Sequence, residues 1–250
     1  MFNIKFKSLA SSSAGNAYIL EGYETKILIE CGLSFNKLLN KLDGKFMDID
    51  ACLISHEHKD HCKCPKELAS KGVNVFGLKE TLEKNGESIN YSFIEVEKRF
   101  EGSPVPVTYK AFQVKEFLIK PIWVDHGDTP SVGYLIKSSL SGEKLVFIID
   151  TFYCPYQFDG ITHYVMEANY SEKLLREDQK GAKVYIDRLW GSHFSIERLC
   201  SFFDTQISMN KFKRDAKIWL THGSKDNSDP VLFQNMIYKK TGVIPVICEP

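Results

Sequence analysis

Seven histidines are spread through the chain, and three of them fall within the run Ser55-His56-Glu57-His58-Lys59-Asp60-His61. Packing alone does not account for such clustering. The run directly follows the apolar segment 51–54, so a turn there sets several imidazoles and a carboxylate at the end of a rigid strand, where loop backbone can aim them at one point. Neutral imidazole and carboxylate are the ligands that suit zinc and other borderline divalent cations. The bland alternative, a solvated His-rich turn, weighs less. Two ions need more ligands than one segment supplies, and later strands supply them. The β-segment ending at Trp123-Val124 runs into Asp125-His126-Gly127, the run 145–149 ends at Asp150, and the run 217–220 ends at Thr221-His222-Gly223. Asp150 follows five apolar residues, where a lone carboxylate is costly to bury unless it is paired or metal-bound.

The elements that must hold these side chains read as alternating strands and helices. Alternation at Phe2, Ile4 and Phe6 gives a first strand, and 17–20 and 27–29 give two more. Ser34 as N-cap, the face Phe35, Leu38, Leu39 and Leu42, and Gly44 past the end predict a helix between them. A strand at 51–54, helices near 65–71 and 79–85, and a strand at 73–76 follow. Beyond the breaks at Gly102, Pro104 and Pro106, residues 105–124 read as two β-segments, with further strands at 133–136, 145–149 and 164–166. Ser195 is expected to cap a helix with Ile196, Leu199, Cys200 and Phe203 on one face. A strand at 217–220, a helix from Asp229-Pro230 to residue 240 and a strand at 243–247 close the chain.

The order His56-x-His58-x-Asp60-His61, then His126, Asp150 and His222, resembles the signature of the metallo-β-lactamase superfamily, and nearly the whole chain fits its layout. The resemblance implies an α/β fold, a four-layer αββα sandwich of two mixed β-sheets with the metals at one edge between them, as a single domain over 1–250. It also implies that His56, His58 and His126 hold one ion, that Asp60, His61 and His222 hold the second, and that Asp150 bridges them. Ser11-Ser12-Ser13-Ala14-Gly15-Asn16-Ala17, Glu30-Cys31-Gly32-Leu33-Ser34, Ser131-Val132-Gly133-Tyr134, Glu167-Ala168-Asn169 and Gly191-Ser192-His193-Phe194-Ser195 resemble segments of the YycJ/WalJ type of bacterial nuclease, and more distantly ribonuclease Z. They favour a phosphodiesterase branch. Glu30 stands where the family usually has Asp, Thr151-Phe152 follows Asp150 where Thr-Gly is common, and Thr221-His222-Gly223-Ser224 departs from the usual surroundings of the last ligand. These departures bear on the substrate more than on metal binding.

Two divalent ions lower the pKa of a bridging water and clamp the attacking and leaving oxygens of an in-line displacement, which fits phosphodiester hydrolysis with that hydroxide as nucleophile. Asp60 would be both ligand and base. His193, just before the helix capped by Ser195, is assigned phosphate binding or general-acid work; the alternative is a helix-entry residue packing on Trp190. The expected function is a DNA or RNA nuclease, exonuclease-like. A small-molecule hydrolase on the same site, acting on a cyclic nucleotide or a thioester, is the first rival, and a catalytically silent metal-binding regulatory protein is the second. Zn2+ is the default metal, while Mn2+ or Fe also suits a carboxylate-bridged site.

Lesser candidates are weighed against ordinary roles. Glu167 is balanced between partner of a ligand histidine and plain strand-end carboxylate. Ser12, Gly15 and Asn16 form a turn that brings backbone toward the metals or a simple hairpin. His163 is expected to be structural or superficial, and Cys62 and Cys64 to be small reduced residues in a turn.

The chain has 250 residues, 43% hydrophobic and 26% charged, which excludes a disordered or fibrous protein. Lys plus Arg, 32, equals Asp plus Glu, 32, so no whole-molecule field draws polyanions and a nucleic-acid substrate needs a local patch. Lys211, Lys213, Arg214 and Lys217, with Lys239 and Lys240, interleave Phe212 and Tyr238; a track for single-stranded DNA or RNA competes there with an ordinary solvated face. The start reads as no signal peptide, no apolar run is long enough for a membrane helix, and the scattered, odd-numbered cysteines read as reduced. A cytoplasmic location and no membrane partner are expected.

Overall fold

Buried apolar triplets on two neighbouring parallel strands set the frame for the His-rich loop. The computed structural model describes residues 3–177 and 189–249, so Phe2, the first position of the expected opening strand, lies outside them. The chain divides into two units, Met1–Trp123 with Thr129–Glu143 and Glu249–Pro250, and Val124–Asp128 with Lys144–Cys248.

In the first unit, β1 (Lys5–Ser12) and β2 (Gly15–Glu21) form an antiparallel hairpin, and β3 (Lys26–Ile29) pairs antiparallel with β2. From β3 the sheet continues in parallel through β4 (Ala51–Leu53), β5 (Asn74–Gly77) and β6 (Tyr91–Phe93). Parallel neighbours need crossovers; α1 (Phe35–Lys41), α2 (Pro65–Ser70) and α3 (Lys79–Glu83) lie on the three. Ile27, Leu28 and Ile29, like Ala51, Cys52 and Leu53, are fully buried, as strands covered on both faces must be. The unit also holds the pair β7 (Val96–Arg99) with β8 (Val107–Tyr109) and the antiparallel ladder of β9 (Phe112–Val114), β10 (Phe117–Trp123) and β11 (Val132–Ser138).

In the second unit, β12 (Lys144–Ile148), β13 (His163–Glu167), β14 (Lys217–Thr221) and β15 (Val246–Ile247) run parallel, each paired with the next. Its helices, among the described residues, include α4 (Glu172–Glu177), α5 (Ile196–Ser208) and α6 (Pro230–Thr241). Ser195 caps α5 by accepting from Arg198 N, and Asp229 caps α6 by accepting from Leu232 N, each satisfying an amide that the first turn leaves open. Among the described residues, no helix is long and apolar enough to cross a membrane.

Several expectations shift in detail. Three strands, not two, occupy 105–124, because Lys115 turns at φ 47° between β9 and β10. β7 has all four residues exposed, so it carries no alternation to read. Ser34 occupies the N-cap of α1 but its side chain makes no capping bond. The last strand shrinks to Val246–Ile247.

Candidate metal centre

The His-rich run begins where β4 ends, and a turn closed by His61 N and Cys62 N donating to His58 O folds it back on itself. The rings of His56 and His58 lie 4.6 Å apart, and those of His56 and His61 4.3 Å. His56 and His61 are fully buried, whereas His58 and Asp60 are half-buried. Three neighbours hold the loop. Asn16 N donates to Asp60 O at 2.7 Å, and Asn16 Nδ2 lies 3.2 Å from His61 Nε2, so the turn after β1 does reach the His-rich loop. Gly32 packs so tightly there that a Cβ would stand 1.6 Å from Asp60 O. Glu30, fully buried, places Oε2 3.5 Å from His61 Nδ1 while Oε1 accepts from Ser55 N at 3.1 Å. Burial pushes its carboxyl pKa up against the pull of His61 and Ser55.

The second unit brings the other candidates to the carboxyl ends of its parallel strands. Asp150 follows β12, Glu167 ends β13 and His222 follows β14. His222 Nδ1 lies 2.9 Å from Asp150 Oδ1 and 3.0 Å from Glu167 Oε1. His193 Nδ1 is 2.7 Å from the same Glu167 oxygen and 3.5 Å from Asp150 Oδ1. Asp150, Glu167, His193 and His222 each offer one ligand atom, and the four atoms lie within 4.8 Å of one another. His126 Nε2 is 4.0 Å from Asp150 Oδ2, and its Nδ1 meets Ser192 O at 3.0 Å. A ring nitrogen that donates to a carbonyl leaves the other nitrogen's lone pair for a metal.

The charges of this cluster are mutually dependent. Burial pushes the Glu167 carboxyl up, but the charge of His193 and hydrogen bonds from His193 and His222 outweigh burial and the repulsion of Asp150, so it is held below the usual value. Burial disfavours a charged His193, yet Glu167 and Asp150 raise its pKa to about 9. His126 is pushed down, chiefly by burial, and so stays neutral, the form that ligates metals. Two adjoining buried carboxylates among imidazoles are a donor set that fits a divalent cation.

Glu167 thus sits against two candidate histidines and is more than a strand-end carboxylate. Asn169, quoted in a motif but given no role, places Nδ2 3.2 Å from His222 Nδ1 and donates it to His222 O at 2.8 Å. Ser192 acts through its carbonyl, which no residue type reveals. His193 keeps 14% side-chain exposure against 3% for His126 and His222, and its ring stacks 5.4 Å from that of His222. His163 is a buried structural residue, stacked 5.5 Å from Trp219. Cys62 and Cys64 are buried and free.

The family described as Anti-Pycsar protein Apyc1 matches residues 7–180 of this chain. Exodeoxyribonuclease WalJ of Streptococcus pneumoniae is 29% identical over 236 residues, covering 90% of this chain and 83% of its own. The metallo-β-lactamase fold protein YhfI from Bacillus subtilis superposes with a TM-score of 0.70 at 16% identity, over 98% of this chain and 96% of its own. The short form of human tRNase Z does so at 0.60 and 17% identity, over 88% and 93%. These structural likenesses show that the chain has the metallo-β-lactamase fold, the α/β sandwich implied by its ordered His and Asp residues.

Proposed function

The chain belongs to the Anti-Pycsar protein Apyc1 family, and we propose that it acts, as one domain over 1–250, as a metal-dependent hydrolase of phosphodiester bonds that degrades single-stranded DNA or RNA from an end. The observation that carries this reading is the buried Asp150 carboxylate, 2.9 Å from His222 Nδ1 and 4.0 Å from His126 Nε2, both rings buried as well. The likeness to an exodeoxyribonuclease over 90% of the chain supports the substrate class. His56, His58, Asp60, His61, His126, Asp150 and His222 are the proposed ligands of two divalent ions, Zn2+ by default.

Bound there, two ions would supply water activation and charge stabilisation for both the attacking and leaving oxygens. Asp60, half-buried beside His61, would hold an ion and be placed to accept a proton. His193 is assigned phosphate binding or general-acid work: its Nδ1 is held by Glu167 at 2.7 Å, which orients the ring and leaves Nε2 for a phosphate or leaving oxygen. Glu30, Glu167, Asn16 and Asn169 are positioning residues that fix the rings they touch.

The test is hydrolysis of labelled single-stranded DNA, single-stranded RNA and bis(p-nitrophenyl) phosphate by the wild type and by His58→Ala and Asp150→Ala. End-on degradation of a strand, lost in both variants, supports the reading. Hydrolysis of the diester alone moves the substrate to a small molecule such as a cyclic nucleotide, and the absence of all turnover leaves a metal-binding regulatory protein.

A further inference from the structure

Three of the basic residues that the sequence scatters over two stretches, Arg214, Lys239 and Lys240, meet in one cavity of the second unit. Asn210, Phe212 and Arg214, from the loop after α5, and Tyr238, Lys239 and Lys240, from the last turn of α6, line a cavity of about 520 Å³. Lys240 is committed, donating to Asp204 at 2.6 Å. Among the described residues, neither Arg214 nor Lys239 has a carboxylate within ion-pair distance. A lysine on a last helical turn complements the helix dipole, which accounts for Lys239 and Lys240 but not for Arg214, nor for Lys211 and Lys213, all on the loop 210–216. In a chain of zero net charge, this is a local surplus with no internal use.

The aromatic residues divide into a support and a free face. Phe212 is fixed from within, stacked 5.7 Å from Tyr164 and edge-on 5.7 Å from Phe203. Tyr238 is 50% exposed, so its ring is open to a flat partner. Cations that track phosphates beside an exposed ring on which a base can stack are the two elements of sequence-tolerant single-strand binding.

The cavity also lies at the opposite end of β14 from His222. Arg214 precedes β14 and His222 follows it, and five residues of strand span about 16 Å. We propose that this cavity is a second binding site for single-stranded nucleic acid, holding phosphates on Arg214 and Lys239 and a base on Tyr238, several nucleotides from the scissile bond. The proposal rests on the nuclease reading above and adds to it a site that grips long strands and not short ones.

The test uses the metal-loaded full chain, a long phosphorothioate-linked single strand for equilibrium binding, and the hydrolysis of long single-stranded DNA, a dinucleotide and bis(p-nitrophenyl) phosphate. Arg214→Glu with Lys239→Glu is expected to weaken strand binding about 10-fold or more and to flatten the dependence of log Kd on log salt by about 1.4, two phosphate contacts at roughly 0.7 each. KM for the long strand should rise, with turnover of the dinucleotide and the diester unchanged. Tyr238→Ala should weaken binding roughly 5-fold to 100-fold and Tyr238→Phe should restore it, since the stack needs only the ring. Wild-type affinity and salt slope in the double variant overturn this site and leave the nuclease reading intact. Equal losses on strand, dinucleotide and diester overturn it as a distant site. A wild type that hydrolyses the diester but neither binds nor cleaves the strand overturns the nuclease reading, and this site with it.

Discussion

Three residues that follow parallel strands, Glu30, Asp150 and His222, have φ of 63°, 47° and 53°. Side chains larger than glycine seldom adopt that region, and each costs about 1–3 kcal/mol that the surroundings must offset. Holding a charged or imidazole side chain at that bend is what strain at a functional site accomplishes, for the proposed ligands Asp150 and His222 and for Glu30, which positions His61. Asp150→Asn keeps the shape and removes the charge, so turnover should fall by at least about 100-fold, read as kcat/KM on the diester. Glu167→Gln should cost about 10–100-fold in metal affinity, because it unties His193 and His222. In the metal-free protein, His193 should titrate near 9 by NMR and lower in Glu167→Gln; an unchanged value would remove Glu167 as its partner. His163 supplies a separate pH effect. Burial, with help from Lys217, pushes its pKa down to about 4, below the unfolded value near 6.5. The unfolded chain therefore binds the extra proton first, and stability present above about pH 6.5 is lost as pH falls toward 4, by roughly 2–3 kcal/mol. Urea unfolding at several pH values should show that loss in the wild type and a flatter profile in His163→Phe.

At the scale of elements, the site depends on close approach between the loop after β3 and the His-rich loop after β4. Gly32 permits it, since a Cβ would stand 1.6 Å from Asp60 O; Gly32→Ala should cost roughly 1–3 kcal/mol and lower turnover with it, measured by thermal melting and diester hydrolysis on one sample. Ser195→Ala should cost about 1 kcal/mol by removing the bond from Arg198 N. The strands before Asp150 and His222 were legible because an apolar run ending in a ligand-type residue is informative at both levels. The capped helices were legible for the same local reason, with Ser195 and Asp229 at their starts. β7 was not, because four exposed residues leave no period. Nor were the partners that orient the rings: Glu30 reaches His61 and Ser192 reaches His126 through tertiary approach, and a backbone carbonyl has no signature in residue type.

At the scale of the whole molecule, zero net charge directs attention to local features, namely the donor set and the cavity lined by Arg214 and Lys239. Fold and chemistry read consistently because the His and Asp residues keep their order along the chain, whereas substrate identity rests on surfaces that sequence order does not describe. Metal binding to the folded state alone adds stability by mass action, so chelation should lower Tm in the wild type and much less in Asp150→Ala. The most direct measurement is elemental analysis of the purified protein, with hydrolysis of single-stranded DNA followed on the same sample. The expected result is about two divalent ions per chain, as a two-metal site requires, with metal content and hydrolysis both reduced in His58→Ala and Asp150→Ala. A chain that binds no metal after supplementation with Zn2+ or Mn2+, or that hydrolyses DNA equally well without it, would contradict the assignment of the centre.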